Sequence, residues 1–149
     1  MDVIDRKILM TLQNNGKISN VALAKEIGLT PPATLERVRK LEETGYIEGY
    51  KAVLNYKKLD RGLSCMIALT LVRQGKRNMQ PFDEQLKQLP EVEKFYHVTG
   101  RFDYIVKVNL KDVEELRDLL VNKLTDIDII DRAETLIILS AEAERGVQL

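Results

Sequence analysis

The chain reads as an α+β protein: an N-terminal winged helix-turn-helix followed by a βαββαβ domain of ferredoxin-like type. Three observations predict this. First, up to about Arg61 the apolar residues recur at helical spacing and are punctuated at Asn14–Gly16, Gly28 and Gly45. Second, beyond Gly62 apolar runs with strand character alternate with helical spacing in the order β-α-β-β-α-β. Third, charge is uneven in a chain that is neutral overall. Residues 1–61 carry 11 Lys and Arg against 8 Asp and Glu, whereas residues 62–149 carry 12 against 15. A basic front and an acidic back point to nucleic acid at one end only.

The elements follow in order. Asp2 is placed to cap a first helix with Asp5 three residues on, and Ile4, Ile8, Leu9 and Leu12 form its apolar stripe. Ser19 caps a second helix with Leu23, Ala24 and Ile27 inward, and Gly28 suits a left-handed C-cap. Thr30 caps a third helix. Pro31 and Pro32 fall in its first turn, where a missing N–H has no intrahelical partner to lose. Gly45 closes it. Tyr46-Ile47 and Tyr50–Leu54 read as two short strands around Glu48-Gly49, a wing that completes a domain over residues 1–54. Residues 55–62 are polar and aperiodic and read as a linker.

The third domain segment, 63–149, has another texture. Ser64–Val72 is almost continuously apolar, as expected of a strand buried on both faces. A polar turn is expected at Gly75–Asn78. Met79, Phe82, Leu86 and Leu89 mark a helix that Pro90 stops. Val92–Val98 and Tyr104–Leu110 alternate as strands about a turn at Thr99–Asp103. Asp112 caps a helix carrying Val113, Leu116, Leu119, Leu120 and Leu124, and Ile129–Ser140 is a last strand. Both helices of such a domain lie on one sheet face. The other face lacks a cover within the chain, so a twofold homodimer is expected.

Two helices joined by a short Gly-containing turn, the second one cationic, is the layout that enters a DNA major groove. At about 100° per residue, the third helix is expected to turn Leu35, Val38 and Leu41 inward. Ala33, Glu36 and Lys40 then face outward, flanked by Arg37 and Arg39. Small residues at its start (Thr30, Ala33, Thr34) permit close approach. Arg37 is the candidate for guanine O6 and N7. Arg39 and Lys40, with Lys51 on the wing and Lys57 and Lys58 beyond it, are candidates for phosphate, as are Lys17 and Lys25. Ser19, at the N-terminus of the second helix, joins this DNA-facing set. The plainer reading is a solvated helix face on which Glu36, Glu42 and Glu43 pair with the cations.

The residues DRKILMTLQNNGKISNVALAKEIGLTPPATLERVRKLEETGYIEGYKAVLN closely resemble the N-terminal domain of the leucine-responsive regulator (Lrp/AsnC) family of transcription regulators. The back half resembles that family's effector and oligomerisation domain, with its turn present as VTGRFDY from Val98 to Tyr104. The resemblance implies a sequence-specific regulator of double-stranded DNA, dimeric and commonly octameric. It also implies an amino-acid effector held between dimers near the turn. The matching positions are Thr99, Gly100, Arg101, Phe102, Asp103 and Tyr104, with Ala133 and Thr135 in the last strand. Gly100 suits a close approach or a positive φ. Asp103 could accept from an effector ammonium, or could merely satisfy backbone N–H groups of a tight turn. Arg101 stands where Asp is frequent and Ala133 where Thr is frequent. Arg101 could bind a carboxylate, pair with Asp103, or face solvent. The alternatives to a sequence-specific regulator are an architectural DNA binder or a metabolite-sensing oligomer with little sequence preference.

Other chemistry is thinly represented. Cys65 and His97 are the only residues of their kinds, too few for a His/Cys zinc site, and Cys65 falls in an apolar strand. The phosphate-loop pattern G-x-x-x-x-G-K is absent. Neither catalysis nor a cofactor is expected. A lone cysteine, no signal-peptide core and no membrane-length apolar run lead to the expectation of a cytoplasmic protein.

Overall fold

The computed structural model describes residues 1–72, 79–141 and 146–149. They divide into two compact units, one of residues 1–53 with the terminal residues 146–149, the other of residues 54–141.

In the first unit, α1 (Val3–Asn14) opens on a reciprocal cap. The Asp5 N–H donates to the Asp2 carboxylate at 2.8 Å, and the Asp2 N–H donates to the Asp5 carboxylate at 3.0 Å. Helix α2 (Asn20–Ile27) starts with the Ala22 N–H donating to the Ser19 hydroxyl at 3.2 Å and ends at Gly28, φ 77°. Helix α3 (Pro31–Glu43) carries its prolines in the first two positions. Thr30 is extended at its N-cap, but the hydroxyl makes no capping bond. Ile8, Leu23, Ile27 and Leu41 form the core, with Ile4, Leu12, Val38 and Ile47 around it. The expected wing strands are a correction: residues 46–54 contain no strand. Tyr46, Tyr50, Val53 and Leu54 stay exposed, so no buried face anchors a pairing that an isolated hairpin cannot sustain.

The second unit contains β1 (Leu63–Leu71), α4 (Gln80–Gln88), β2 (Val92–His97), β3 (Tyr104–Leu110), α5 (Val113–Asp118) and β4 (Ile130–Ile137). All strands are antiparallel in the order β2-β3-β1-β4. Helix α5 continues as an unanticipated π-helical turn, Leu119–Leu124. The turn expected at 75–78 lies outside the described residues. The expected linker is a further correction. Tyr56–Leu59 form a 3₁₀ turn capped by Asn55, and Arg61 pairs with Glu115 of α5, so the segment belongs to the second unit.

Alternation sorts the sheet residues. Cys65, Ile67, Leu69, Tyr104, Val106 and Val108 pack with Phe82, Leu86, Leu116, Leu119 and Leu124 of the helices. Met66, Ala68 and Thr70 of β1 point to the opposite face, beside Lys107 and Ile105 of β3 and Leu136, Glu134 and Arg132 of β4. No helix among the described residues is long and apolar enough to cross a membrane.

Candidate functional site

Helix α3 is held by polar contacts at its start and a buried stripe beneath. The Asn20 side-chain amide donates to the Pro31 carbonyl at 2.8 Å, tying the start of α2 to that of α3. The stripe is Thr34, Val38 and Leu41, and Leu35 is 59% exposed. This corrects the expected face. Positions i, i+4 and i+7 span about 60° around the axis, whereas Leu35, Val38 and Leu41 span about 120°, so the tighter set packs. Thr34 is buried under the helix and is not available to ease DNA approach. Burial is tolerated because its hydroxyl donates to the Thr30 carbonyl at 3.0 Å. Ala33 is half-buried on the flank.

Arg37 is also placed differently from expectation. Its guanidinium donates to the carboxylates of Asp2 and Asp5, each at 2.7 Å, and so reaches back to α1 instead of standing out from α3. These carboxylates hold the Arg37 pKa above its ordinary value. Arg39 pairs with Glu43 at 2.7 Å one turn on. The Tyr50 hydroxyl donates to Glu42 at 2.9 Å; burial and this carboxylate push the phenol pKa up. The outward face of α3 is thus Pro32, Leu35, Glu36, Arg39 and Lys40, all exposed, and Lys40 has no carboxylate partner among the described residues. Leu35 and Pro32 were missed as outward-facing residues of α3. The spacing of Thr34, Val38 and Leu41 was the signal that could have found them. Lys17, Lys25 and Lys51 are exposed on the same unit, and Ser19 is occupied by its cap.

The second candidate site is the β2–β3 turn. Gly100 has φ 121°, a conformation a side chain would strain. Asp103 stitches the turn to the end of β1: its N–H donates to the Leu69 carbonyl at 2.9 Å, and the Leu71 N–H donates to its Oδ2 at 2.8 Å. Its carbonyl accepts from the Val98 N–H at 2.9 Å. Thr70, between these two β1 residues, has a buried hydroxyl without a hydrogen-bond partner among the described residues. Arg101 does not pair with Asp103. It lies 4.6 Å from the Phe102 ring centre and 3.5 Å from Glu134 of β4.

Tyr104 is a correction as a side-chain ligand. It is fully buried, its hydroxyl donates to Asp83 at 2.6 Å, and its ring contacts Phe82 and His97. Burial and Asp83 push its pKa far above the ordinary phenol value. It supports the turn from below. Ala133 lies across Leu69 from Tyr104, and Thr135 lies across Ile67 from Val106, so both share one face of the sheet end bearing the turn. Thr99 and Gly100 are exposed at the tip. Cys65 is buried four residues along β1 from the row that holds His97, and burial pushes its thiol pKa up.

Comparison with known proteins decides the family. A winged helix-turn-helix DNA-binding domain matches residues 1–48, and the Lrp/AsnC ligand binding domain matches residues 64–147. The chain belongs to the Lrp/AsnC family. It is 40% identical over 139 residues to the leucine-responsive regulatory protein of Haemophilus influenzae, covering 93% of this chain and 84% of the relative. The Escherichia coli K12 protein of the same name is 38% identical over 139 residues, covering 93% and 85%. Among solved structures, a Neisseria meningitidis transcriptional regulator in complex with L-methionine matches with TM-score 0.91 and 28% identity, covering 100% of this chain and 96% of that one. Escherichia coli AsnC matches with TM-score 0.83 and 30% identity, covering 100% and 99%. This Lrp/AsnC chain is therefore a transcription regulator with a DNA-binding helix-turn-helix and a ligand-binding domain.

Proposed function

We propose that α3 reads operator DNA with Pro32, Leu35, Glu36 and Arg39 while Lys40 and Lys51 meet phosphate. We propose too that an amino acid bound at the Thr99–Asp103 turn modulates that binding. The observation that carries the first half is the outward face of α3. An exposed leucine suits a thymine methyl and a carboxylate suits cytosine N4, while the free ammonium of Lys40 suits phosphate. For the second half, Asp103 uses Oδ2 on the Leu71 N–H, leaving Oδ1 to accept from an ammonium. Thr70, whose buried hydroxyl has no partner among the described residues, lies in β1 between Leu69 and Leu71, the two residues bonded to Asp103. The neighbour solved with L-methionine makes that amino acid the first probe.

The open sheet face, with Met66, Ala68, Ile105 and Leu136, suits a second copy. Twofold pairing would present two α3 helices to half-sites one or more helical turns apart, and further assembly to an octamer would place the turn between dimers. This is a cytoplasmic binding protein with no catalytic step and no cofactor. An architectural role is the second reading, favoured by the engagement of Arg37 with α1, which leaves fewer direct base readers. A specificity ratio near one between operator and random DNA would select it.

The test is a binding titration on the protein's own upstream region across salt concentrations, with and without each amino acid, and sedimentation on the same samples. Lys40→Ala is expected to weaken binding at every site and to reduce the log–log salt slope by about 1 per subunit contact. An unchanged slope would remove Lys40 from the phosphate contacts. Leu35→Ala is expected to cost about 1 kcal/mol on thymine-bearing operators and nothing on the same operators carrying uracil.

A further inference from the structure

The β2–β3 turn carries more unused polar groups than a neutral amino acid would occupy. The N–H groups of Thr99, Gly100, Arg101 and Phe102 make no hydrogen bond among the described residues. Successive free amides at a turn, here with Gly100 at φ 121°, can cradle a carboxylate. The space beside them is open: a Cβ added at Gly100 would meet nothing within 4 Å. Asp103 places Oδ2 on the Leu71 N–H and keeps Oδ1 for an ammonium. The free amides and Oδ1 are enough for the zwitterion that every amino acid shares.

Arg101 is left over. Its guanidinium is 76% exposed and lies 3.5 Å from a Glu134 oxygen, longer than an ordinary charge-assisted hydrogen bond. A pair of this kind at a surface is weak. The Phe102 ring, 4.6 Å from Cζ, orients the side chain. A planar fork that is oriented but loosely held suits a second carboxylate, which it can grip through two parallel bonds. We propose that the effector of this turn is a dicarboxylic amino acid, whose side-chain carboxylate takes Arg101 from Glu134. The choice of effector class rests on the turn being an effector site, as proposed above. A neutral effector such as methionine leaves Arg101 on Glu134 and gains nothing from it.

Calorimetric titration of the full-length protein without DNA, at fixed ionic strength, compares L-glutamate and L-aspartate with L-glutamine, L-asparagine and L-methionine. One of the two acids is expected to bind at least about tenfold more tightly than its own amide and than methionine. Arg101→Gln is expected to erase that preference and to leave methionine affinity unchanged. Glu134→Gln is expected to tighten acid binding about threefold, because it frees the fork. Equal affinity for acid and amide in the unaltered protein, or a preference that survives Arg101→Gln, would overturn the dicarboxylate class and leave the effector site standing. Equal loss of acid and methionine binding in Arg101→Gln would overturn it too, since Arg101 would then support the turn and not read a carboxylate. Unchanged acid binding in Glu134→Gln would overturn the exchange with Glu134. Binding of none of the five would strike the effector site itself, and the dicarboxylate class with it.

Discussion

Arg37→Ala is expected to weaken operator binding on the order of tenfold, uniformly across operator sequences. The uniformity is the point. In this structure Arg37 spans from α3 to both carboxylates at the start of α1, so its removal loosens the seat of the reading helix instead of deleting one base contact. Asp5→Asn is expected to reproduce the loss, because it cuts the same bridge without touching any residue facing the groove. Arg37→Lys is expected to restore part of the binding, since the single nitrogen Nη1 meets both carboxylates and an ammonium has donors enough for the two. Operator titrations with single-base variants decide the matter. If Arg37→Ala relaxes preference at one guanine and Asp5→Asn has no effect, Arg37 is a base reader after all. The bridge is also pH-dependent. The Asp5 backbone N–H, followed by Arg37, holds the Asp2 carboxyl below its ordinary pKa. A depressed carboxylate stabilises the fold above its unfolded value, so this contribution is expected to be full at neutral pH. It should disappear as the pH falls below about 4. Helix content of the first unit followed against pH reads it.

Lys123→Ala is expected to be the most destabilising exposed-side change in the second unit, by about 3 kcal/mol. Lys123 in the π-helical turn pairs with Glu91, which begins the approach to β2 and is only 4% exposed, with one oxygen lacking a hydrogen-bond partner among the described residues. The lysine is 35% exposed, so the attraction itself is screened. The cost lies in leaving a buried carboxylate uncompensated. Urea unfolding of the Lys123→Ala protein measures it. The double change Glu91→Gln with Lys123→Met is expected to recover most of the loss, because a neutral pair carries no stranded charge. A single-variant loss below about 1 kcal/mol would mean that the pair behaves as a surface contact. The Glu91 hydrogen bond, with the charges of Glu91 and Asp118, raises the Lys123 pKa. A raised lysine stabilises below its unfolded value, so this contribution is expected to vanish as the pH climbs beyond about 10.5.

Local patterning alone was enough for the order of the helices and of the four sheet strands, though not for residues 46–54, and for most helix ends. Asp2 with Asp5, Ser19, Gly28 and the prolines of α3 are chemical signals that act within one turn of chain, and all stand where they were expected. The alternation of β3 likewise showed which of its residues share a sheet face, because a period of two leaves only two choices, whereas the nearly continuous apolar run of β1 offered no such division. The turn at Gly100 needed a positive φ, and a glycine there announced it.

What the tertiary structure alone decided are contacts between residues far apart in the chain. Nothing in the order of residues says that Arg37 turns back to Asp2 and Asp5, or that Tyr104 spends its hydroxyl on Asp83. Nor does it say that Gly146 and Val147 return to Gln13 from the far end of the chain. Capping, alternation and turn geometry are settled by neighbours in sequence. Which polar group meets which partner depends on how whole elements pack, and that is settled only when burial makes an unpaired charge or a misfitted side chain costly.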